Sequence, residues 1–232
     1  MASVAVSFAP LDVDARSLEA ALTVIDRWER AQAERFRFER DRRRFIVRRA
    51  QLRRLLASHV GADAAALRFE TNPFGKPRLA GGPHFSLSHS GERMMVAIAD
   101  VEVGCDIEWI DPALAWRPLA ETLFAAAERV ALAALPEPEA RAAFFRCWAR
   151  KEAFVKALGL GLSYPLDAFA VSVSPEAALL AGGEGWAMAR VEGDADHAAA
   201  VAARDDGRRL VIRISETISP IASRASTVAS PA

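Results

Sequence analysis

The sequence predicts an α+β fold of two pseudo-symmetric lobes, each a long helix packed on a small, mostly antiparallel sheet. Residues 41–59 and 139–158 show strong helical patterns, and several short strand-like segments follow each of them. This order favours an α+β arrangement over a parallel sheet built from βαβ units. We expect an N-terminal lobe at 1–105 and a C-terminal lobe at 106–217, followed by a disordered Ser- and Ala-rich tail at 218–232.

The elements of the first lobe follow from local patterns. Alternation of apolar and small residues predicts a strand over residues 1–8, and an Ala-, Leu- and Arg-rich stretch predicts a helix over 18–33. The next helix covers 41–59 and is expected to stop at Gly61. Further strands are predicted at 67–70, 85–90, 94–100 and 101–109, the last two as antiparallel neighbours.

The second lobe is predicted to begin with two helices, at about 119–135 and 139–158, and Gly159 and Gly161 end the second of these. Apolar, β-branched and aromatic residues then predict strands at 169–173, 186–191, 197–203 and 210–214.

The composition excludes several classes of protein. Thirty basic and thirty acidic residues cancel, so the overall charge gives no general attraction to nucleic acid or to an anionic membrane. Only Cys105 and Cys147 are present, which is too few for a disulfide framework, and no zinc-ligand spacing occurs. The first ten residues lack a signal-type pattern, and the Ala-rich stretches are too short to span a membrane. We expect a soluble, monomeric protein of the cytoplasm.

Two carboxylates stand out in a predicted strand. Asp106 and Glu108 are two residues apart, so both side chains leave the same face of that strand. Carboxylates this close repel each other unless a cation lies between them, and such hard oxygen ligands suit Mg²⁺. The alternative is a solvated strand face at the edge of the sheet.

A second polar set lies in the predicted helix at 139–158. Trp148, Glu152 and Lys156 are spaced i, i+4 and i+8, which places them on one helical face. A surface Glu–Lys pair is the common alternative, but the neighbouring aromatic residues favour a site. Lys156 is also one of only three lysines, with Lys76 and Lys151, in a chain whose other basic residues are arginines. Such restricted use indicates positions that need a compact charge.

His89 and an arginine-rich helix are candidates for phosphate contacts. His89 lies at the end of a predicted strand between two serines, where it can donate hydrogen bonds to a phosphate, although a lone histidine is more often structural. The helix at 41–59 is expected to expose seven arginines, for most of which a solvated face is the simpler explanation: Arg42, Arg43, Arg44, Arg48, Arg49, Arg53 and Arg54.

Together these segments resemble the Sfp-type 4′-phosphopantetheinyl transferases. The family pattern has a Gly-Lys-Pro loop, a Ser-His strand, a Gly-x-Asp-x-Glu strand and a Trp-x-x-Lys-Glu-x-x-x-Lys helix. The likeness extends from about residue 35 to 173, and four motifs in the right order are a specific signal. They are Gly75-Lys76-Pro77, Ser88-His89-Ser90, Gly104-Cys105-Asp106-Ile107-Glu108 and the helix segment Trp148 to Lys156.

The resemblance implies the 4′-phosphopantetheinyl transferase fold, with coenzyme A and an apo acyl or peptidyl carrier protein bound in the cleft between the lobes. It implies that Mg²⁺ is held by three carboxylates, Asp106, Glu108 and Glu152. It further implies that His89 and Lys156 contact phosphates of coenzyme A. The remaining contacts to coenzyme A are implied for Arg44 and Ser88 near the 3′-phosphate and for Gly75, Lys76 and Pro77 at the adenine end.

The expected reaction moves the phosphopantetheine group onto a carrier serine and releases adenosine 3′,5′-bisphosphate. Glu152 is the candidate base, directly or through a metal-bound water, and Lys156 and His89 are the candidates for stabilising developing charge. Carrier proteins are typically acidic, so charge reversal at Arg49 and Arg53 is expected to raise KM for the carrier. The alternative functions are a Mg²⁺-dependent phosphodiesterase or nuclease and, less well supported, a nucleic-acid binding module.

Overall fold

Helices and short strands alternate along the chain in the computed structural model, which describes residues 2–205 and 210–214. The mixture of helices with small, mostly antiparallel sheets confirms the predicted α+β class. The predicted tail at 218–232 lies outside the described residues. Within the described part of the chain, no helix is both long enough and apolar enough to cross a membrane.

Six α-helices are present among the described residues. Two of them have 22 residues and correspond to the two long helices predicted from the sequence. In order, the helices are α1 Ala15–Leu22, α2 Arg27–Ala33, α3 Glu39–Val60, α4 Trp116–Leu123, α5 Ala126–Ala133 and α6 Glu137–Leu158. Both long helices stop at a glycine with positive φ, Gly61 at 66° and Gly159 at 69°, as predicted.

The strands form two main sheets and two short hairpins. In order, the strands are β1 Ala2–Pro10, β2 Phe69–Thr71, β3 Pro77–Leu79, β4 His84–Ser90, β5 Arg93–Ala99, β6 Val103–Trp109, β7 Ala170–Val171, β8 Leu179–Ala181, β9 Trp186–Arg190, β10 His197–Arg204 and β11 Leu210–Ile214. The four-stranded sheet has the order β11-β1-β5-β4, and the three-stranded sheet has the order β6-β10-β9. Strand β6 pairs with β10, so the predicted pairing of β6 with β5 is wrong.

The helices predicted at 18–33 and at about 119–135 are each divided into two, and acidic side chains cap the second helix of each pair. At the first break, Asp26 and Glu29 form a capping box that starts α2, and four residues separate it from the end of α1. At the second, Glu128 accepts a hydrogen bond from the backbone N–H of Ala125 and starts α5. These local bonds satisfy the helix N-termini, so two short helices replace each predicted long one.

Contacts divide the chain into two compact units. The described residues of the first unit fall within 1–8 and 68–216, and those of the second within 9–67. In the first unit, α6 packs on β6 and β10 over a core that includes Phe144 and Phe154. The predicted division into lobes at residues 105 and 106 falls inside β6 and stays a prediction.

In the second unit, a buried ion-pair network joins α2 to α3. Glu29 is fully buried and accepts hydrogen bonds from Arg49 and, at 2.6 Å, from Nε of Arg53. Arg53, also fully buried, bonds Asp26 and donates to the backbone carbonyls of Ala64 and Leu67. The expectation that Arg53 lies on an exposed face and steers a carrier protein is therefore wrong. Arg49, whose side chain is 12% exposed, serves the same network.

We predict that Arg53→Ala lowers the free energy of unfolding by about 3–5 kcal/mol, because it leaves the buried Glu29 carboxylate with less compensation. Urea denaturation followed by circular dichroism measures this. Arg40→Ala is the control, since Arg40 pairs with Asp41 in solvent and such pairs contribute about 0–1 kcal/mol. Equal denaturation midpoints for the two variants would contradict the buried network.

Candidate active site

A close approach of β6 to α6 builds the centre of the candidate site. Gly104 in β6 lies directly against the α6 backbone, where a Cβ atom on Gly104 would overlap the carbonyl oxygen of Ala153 and the nitrogen of Ala157. Only glycine therefore permits this distance between strand and helix. The approach brings the carboxylates of β6 next to the polar face of α6.

Asp106 and Lys156 form an ion pair across this contact. Asp106 is 2% exposed, and its Oδ1 lies 2.6 Å from Nζ of Lys156. The hydroxyl of Ser88, in β4, donates to the same oxygen at 2.6 Å and accepts from Lys156 at 2.9 Å. Three side chains from two strands and one helix thus form a closed hydrogen-bonded triangle.

The second carboxylate oxygen of Asp106 takes no part in this triangle. Oδ2 is buried and has no hydrogen-bond partner among the described residues. A buried carboxylate oxygen without a partner is costly, and it provides a hard ligand atom for a divalent cation. The chemistry of this position therefore fits the metal role predicted for Asp106.

Glu108 and Glu152 complete the acidic group, and both are half-buried. Burial and the nearby charge of Asp106 raise the pKa of Glu108 to about 7, although Ser90 donates a hydrogen bond to it at 3.0 Å. The same two causes, burial first, raise the pKa of Glu152. The three carboxylates therefore repel one another, which is the electrostatic condition for binding a cation between them.

Lys156 carries the positive charge of the site. Burial by itself lowers the pKa of Lys156, but the charge of Asp106 and the hydrogen bond to it raise this pKa overall. Burial raises the pKa of Asp106, against the opposing effects of Lys156 and Ser88. The ammonium group of Lys156 therefore stays charged and can stabilise an anion in the site.

A cavity of about 300 Å³ adjoins this centre. Lys156 lines it together with the predicted Gly-Lys-Pro loop, and apolar walls come from Phe74, Phe85 and Leu87. The positive φ of Gly75, 88°, allows the tight turn of the loop between β2 and β3. The structure thus brings Gly75, Lys76 and Pro77 to the same cavity as Lys156.

Lys76 also has a structural role that the sequence did not reveal. Its ammonium group donates to the carbonyl oxygens of Val103 at 3.0 Å and Ala157 at 3.1 Å, at the start of β6 and the end of α6. Asn72 adds a hydrogen bond to the Gly159 carbonyl at 2.7 Å. The loop is therefore anchored to the C-terminus of α6, where cations are favoured.

The two remaining predicted residues are His89, on β4, and Arg44, on α3. His89 is exposed in β4, and side-chain alternation directs it to the face opposite Ser88 and Ser90. Arg44 lies in the second unit, where its guanidinium pairs with Asp12 and lowers the pKa of that carboxyl group. Their contacts to coenzyme A stay predictions.

Lys151 is the one lysine of the three with no place in this site. It is fully buried on α6, pairs with buried Glu128 at 2.8 Å and donates to the carbonyls of Leu166 and Phe169. The restricted use of lysine therefore marks positions with several hydrogen-bond partners, of which Lys151 lies in the core and Lys76 and Lys156 lie at the candidate site.

A second acidic group lies on the surface of the same unit. Among the described residues, the one set of three potential metal ligands with atoms within 4.8 Å of one another is Asp194, Asp196 and His197. Both aspartates are exposed, and Asp194 is paired with Arg93 at 2.6 Å. The oxygens of Asp106, Glu108 and Glu152 do not form such a set, so their joint metal role stays a prediction.

Comparison with known proteins agrees with these features. A family model described as "4′-phosphopantetheinyl transferase superfamily" matches residues 102–202, which contain β6 and α6. A second model, described as "4′-phosphopantetheinyl transferase, N-terminal", matches residues 12–101. The two matches together cover most of the chain.

Individual relatives carry the same name. The chain is 32% identical to the 4′-phosphopantetheinyl transferase HetI of Nostoc over 200 residues, covering 83% of this chain and 84% of that protein. It is 40% identical to psf-1 of Bacillus pumilus over 64% of each chain, and 32% identical to Sfp of Bacillus subtilis over 66% of this chain and 68% of Sfp. The chain belongs to the 4′-phosphopantetheinyl transferase family, as its motifs predicted.

We predict that Gly104→Ala lowers the free energy of unfolding by about 2 kcal/mol or more, because the added methyl group must push α6 away from β6. Thermal and urea denaturation measure this loss. Gly193→Ala is the matched control, because a Cβ there meets only the Phe8 ring at 3.5 Å. A Gly104→Ala protein as stable as the Gly193→Ala protein would contradict the tight contact.

We also predict that Glu108→Gln stabilises the protein at pH 8 in a chelating buffer. The pKa of Glu108 is the ordinary 4.5 in the unfolded chain and about 7 in the folded one. Between these two pH values the folded state therefore binds more protons than the unfolded chain. Stability then falls as the pH rises through this window. The substitution removes that loss. We expect it to raise the free energy of unfolding by about 1–2 kcal/mol at pH 8 and to leave it almost unchanged near pH 4.5.

Denaturation curves at the two pH values, with Glu92→Gln at an exposed position as the control, measure this gain. A stabilisation by Glu108→Gln that is the same at pH 4.5 and pH 8 would rule out a buried, repelled carboxylate as its cause.

Proposed function

We propose that this chain transfers the 4′-phosphopantetheine group of coenzyme A to a serine of an apo acyl or peptidyl carrier protein. The other product is adenosine 3′,5′-bisphosphate, the reaction depends on Mg²⁺, and the protein acts as a monomer in the cytoplasm. Membership of the family supports the activity. Within the site, the observation that carries the proposal is the buried, partnerless Oδ2 of Asp106 beside two further carboxylates and one charged lysine.

Three carboxylates would hold the metal ion, Asp106 through its free oxygen together with Glu108 and Glu152. Oxygen ligands of this kind are those that Mg²⁺ prefers. When bound, Mg²⁺ would offset the negative charge of the coenzyme A pyrophosphate. Coenzyme A would bring its phosphates to Lys156 and to the cavity that Gly75, Lys76 and Pro77 line, with His89, Arg44 and Ser88 as further phosphate contacts.

Transfer requires one bond to form and one to break. The hydroxyl oxygen of the carrier serine attacks the phosphorus atom attached to pantetheine, and the bond from that phosphorus to the bridging oxygen breaks. Adenosine 3′,5′-bisphosphate leaves with the bond electrons. Lys156 stabilises the developing charge because its ammonium group is held in place by Asp106 and Ser88.

The serine proton needs an acceptor. Glu152 lies on the same face of α6 as Lys156, one turn before it, and a carboxylate beside the charged lysine is suited to accept a proton. We assign Glu152 as the acceptor, directly or through one water molecule.

We predict that the protein adds one phosphopantetheine group to an apo carrier protein when coenzyme A and Mg²⁺ are present. Mass spectrometry of a panel of apo acyl and peptidyl carrier proteins detects the added mass. Glu152→Gln is expected to reduce the rate by at least about 100-fold with the fold retained, because a general base contributes about 10²–10⁴-fold. Glu139→Gln, an exposed position on the same helix, is expected to react normally.

Failure to modify any carrier would contradict the function, and cleavage of coenzyme A without a carrier would favour the phosphodiesterase. Normal turnover by Glu152→Gln would remove the assigned base.

A further inference from the structure

Strands β4 and β6 belong to different sheets, and serine side chains connect them. Strand β4 is the edge of the four-stranded sheet and β6 the edge of the three-stranded one. Every second residue of β4 from 86 to 90 is a serine. The hydroxyl of Ser86 accepts the backbone N–H of Cys105 at 3.0 Å, and that of Ser90 accepts the N–H of Trp109 at 3.0 Å. We call Ser86, Ser88 and Ser90 the serine row.

The two ends of the serine row differ in one respect. Ser90 also donates to Oε2 of Glu108 at 3.0 Å, whereas no acidic group accepts from Ser86 in the described hydrogen bonds. A hydroxyl group has a single proton. Because the oxygen of Ser90 already accepts the Trp109 N–H, its proton is directed to Glu108. The position of this carboxylate is therefore fixed from two sides, by its own strand and by β4.

We propose that Ser90 is a positioning residue that orients Glu108 for cation binding. The proposal rests on the proposed function, because it concerns the same metal ion. Ser90 occupies one lone pair of Oε2 and restricts rotation of the side chain, and the other lone pairs of the carboxylate stay available for a cation. Groups that hold a metal ligand in this way typically change metal affinity by about 10–100-fold when they are removed.

Direct titration of Mn²⁺ into the full chain with coenzyme A, without carrier protein, measures this affinity by electron paramagnetic resonance. We expect Ser90→Ala to weaken Mn²⁺ binding about tenfold or more. Ser86→Ala is the matched control, since it removes the same kind of bridge to a β6 N–H but no bond to a carboxylate. Its Mn²⁺ affinity is expected to stay within about twofold of the unaltered protein, because no carboxylate ligand loses a hydrogen bond.

A second pair of variants separates the hydroxyl group from the loss of volume. Thr and Val have nearly the same shape and both suit a strand, so Ser90→Thr keeps the donor and Ser90→Val removes it. We expect Ser90→Thr to restore most of the Mn²⁺ affinity and Ser90→Val to match Ser90→Ala. This comparison tests the role of the Ser90 hydroxyl group even if Ser90→Ala proves unstable.

Equal Mn²⁺ affinities for Ser90→Thr and Ser90→Val would overturn the proposal, and so would equal losses for Ser86→Ala and Ser90→Ala. Failure of the proposed function gives a different result. In that case the unaltered protein modifies no carrier, whereas failure of the Ser90 proposal leaves an active protein whose Ser90 variants bind Mn²⁺ normally.

Discussion

The ion pair between Asp106 and Lys156 is the interaction on which the arrangement of the site depends. It crosses from β6 to α6, and it forms only because Gly104 lets the strand and the helix touch. A carboxylate buried to this degree needs a partner, and Lys156 satisfies just one of its oxygens. The other oxygen is left to bind a ligand, so one buried charge both locks the helix to the strand and prepares the site.

Much of this site could be predicted because its residues act through fixed local spacings. The i, i+2 spacing of Asp106 and Glu108 and the i, i+4 spacing of Glu152 and Lys156 each define a common face of one element. The long helices were predictable for the same reason, and Gly159 marks the end of the second. Local periodicity therefore identified the helices and the polar faces, and the family pattern indicated that those faces meet.

What the sequence could not reveal depends on contacts between residues far apart in the chain. Arg53 belongs to an arginine-rich helix and has the pattern of a solvated face, yet Glu29 lies 24 positions earlier and buries it. Lys151 shares a motif with Glu152, but Glu128 and two carbonyl groups hold it in the core. Charged residues with buried partners cannot be told from surface charges until the partner is located, because both have the same local pattern.

Strands β4 and β6 lie in different sheets, and the serine row connects them. In a continuous ladder, the backbone groups of adjacent strands bond each other directly and leave side chains free to vary. Between β4 and β6 the hydroxyls of Ser86 and Ser90 accept the backbone N–H groups instead. A hydroxyl that accepts still has a proton to donate, so the same bridge can also orient a carboxylate. The contact between the two sheets is therefore part of the candidate site. Through Ser90, the packing of β4 against β6 also determines the position of the Glu108 carboxylate.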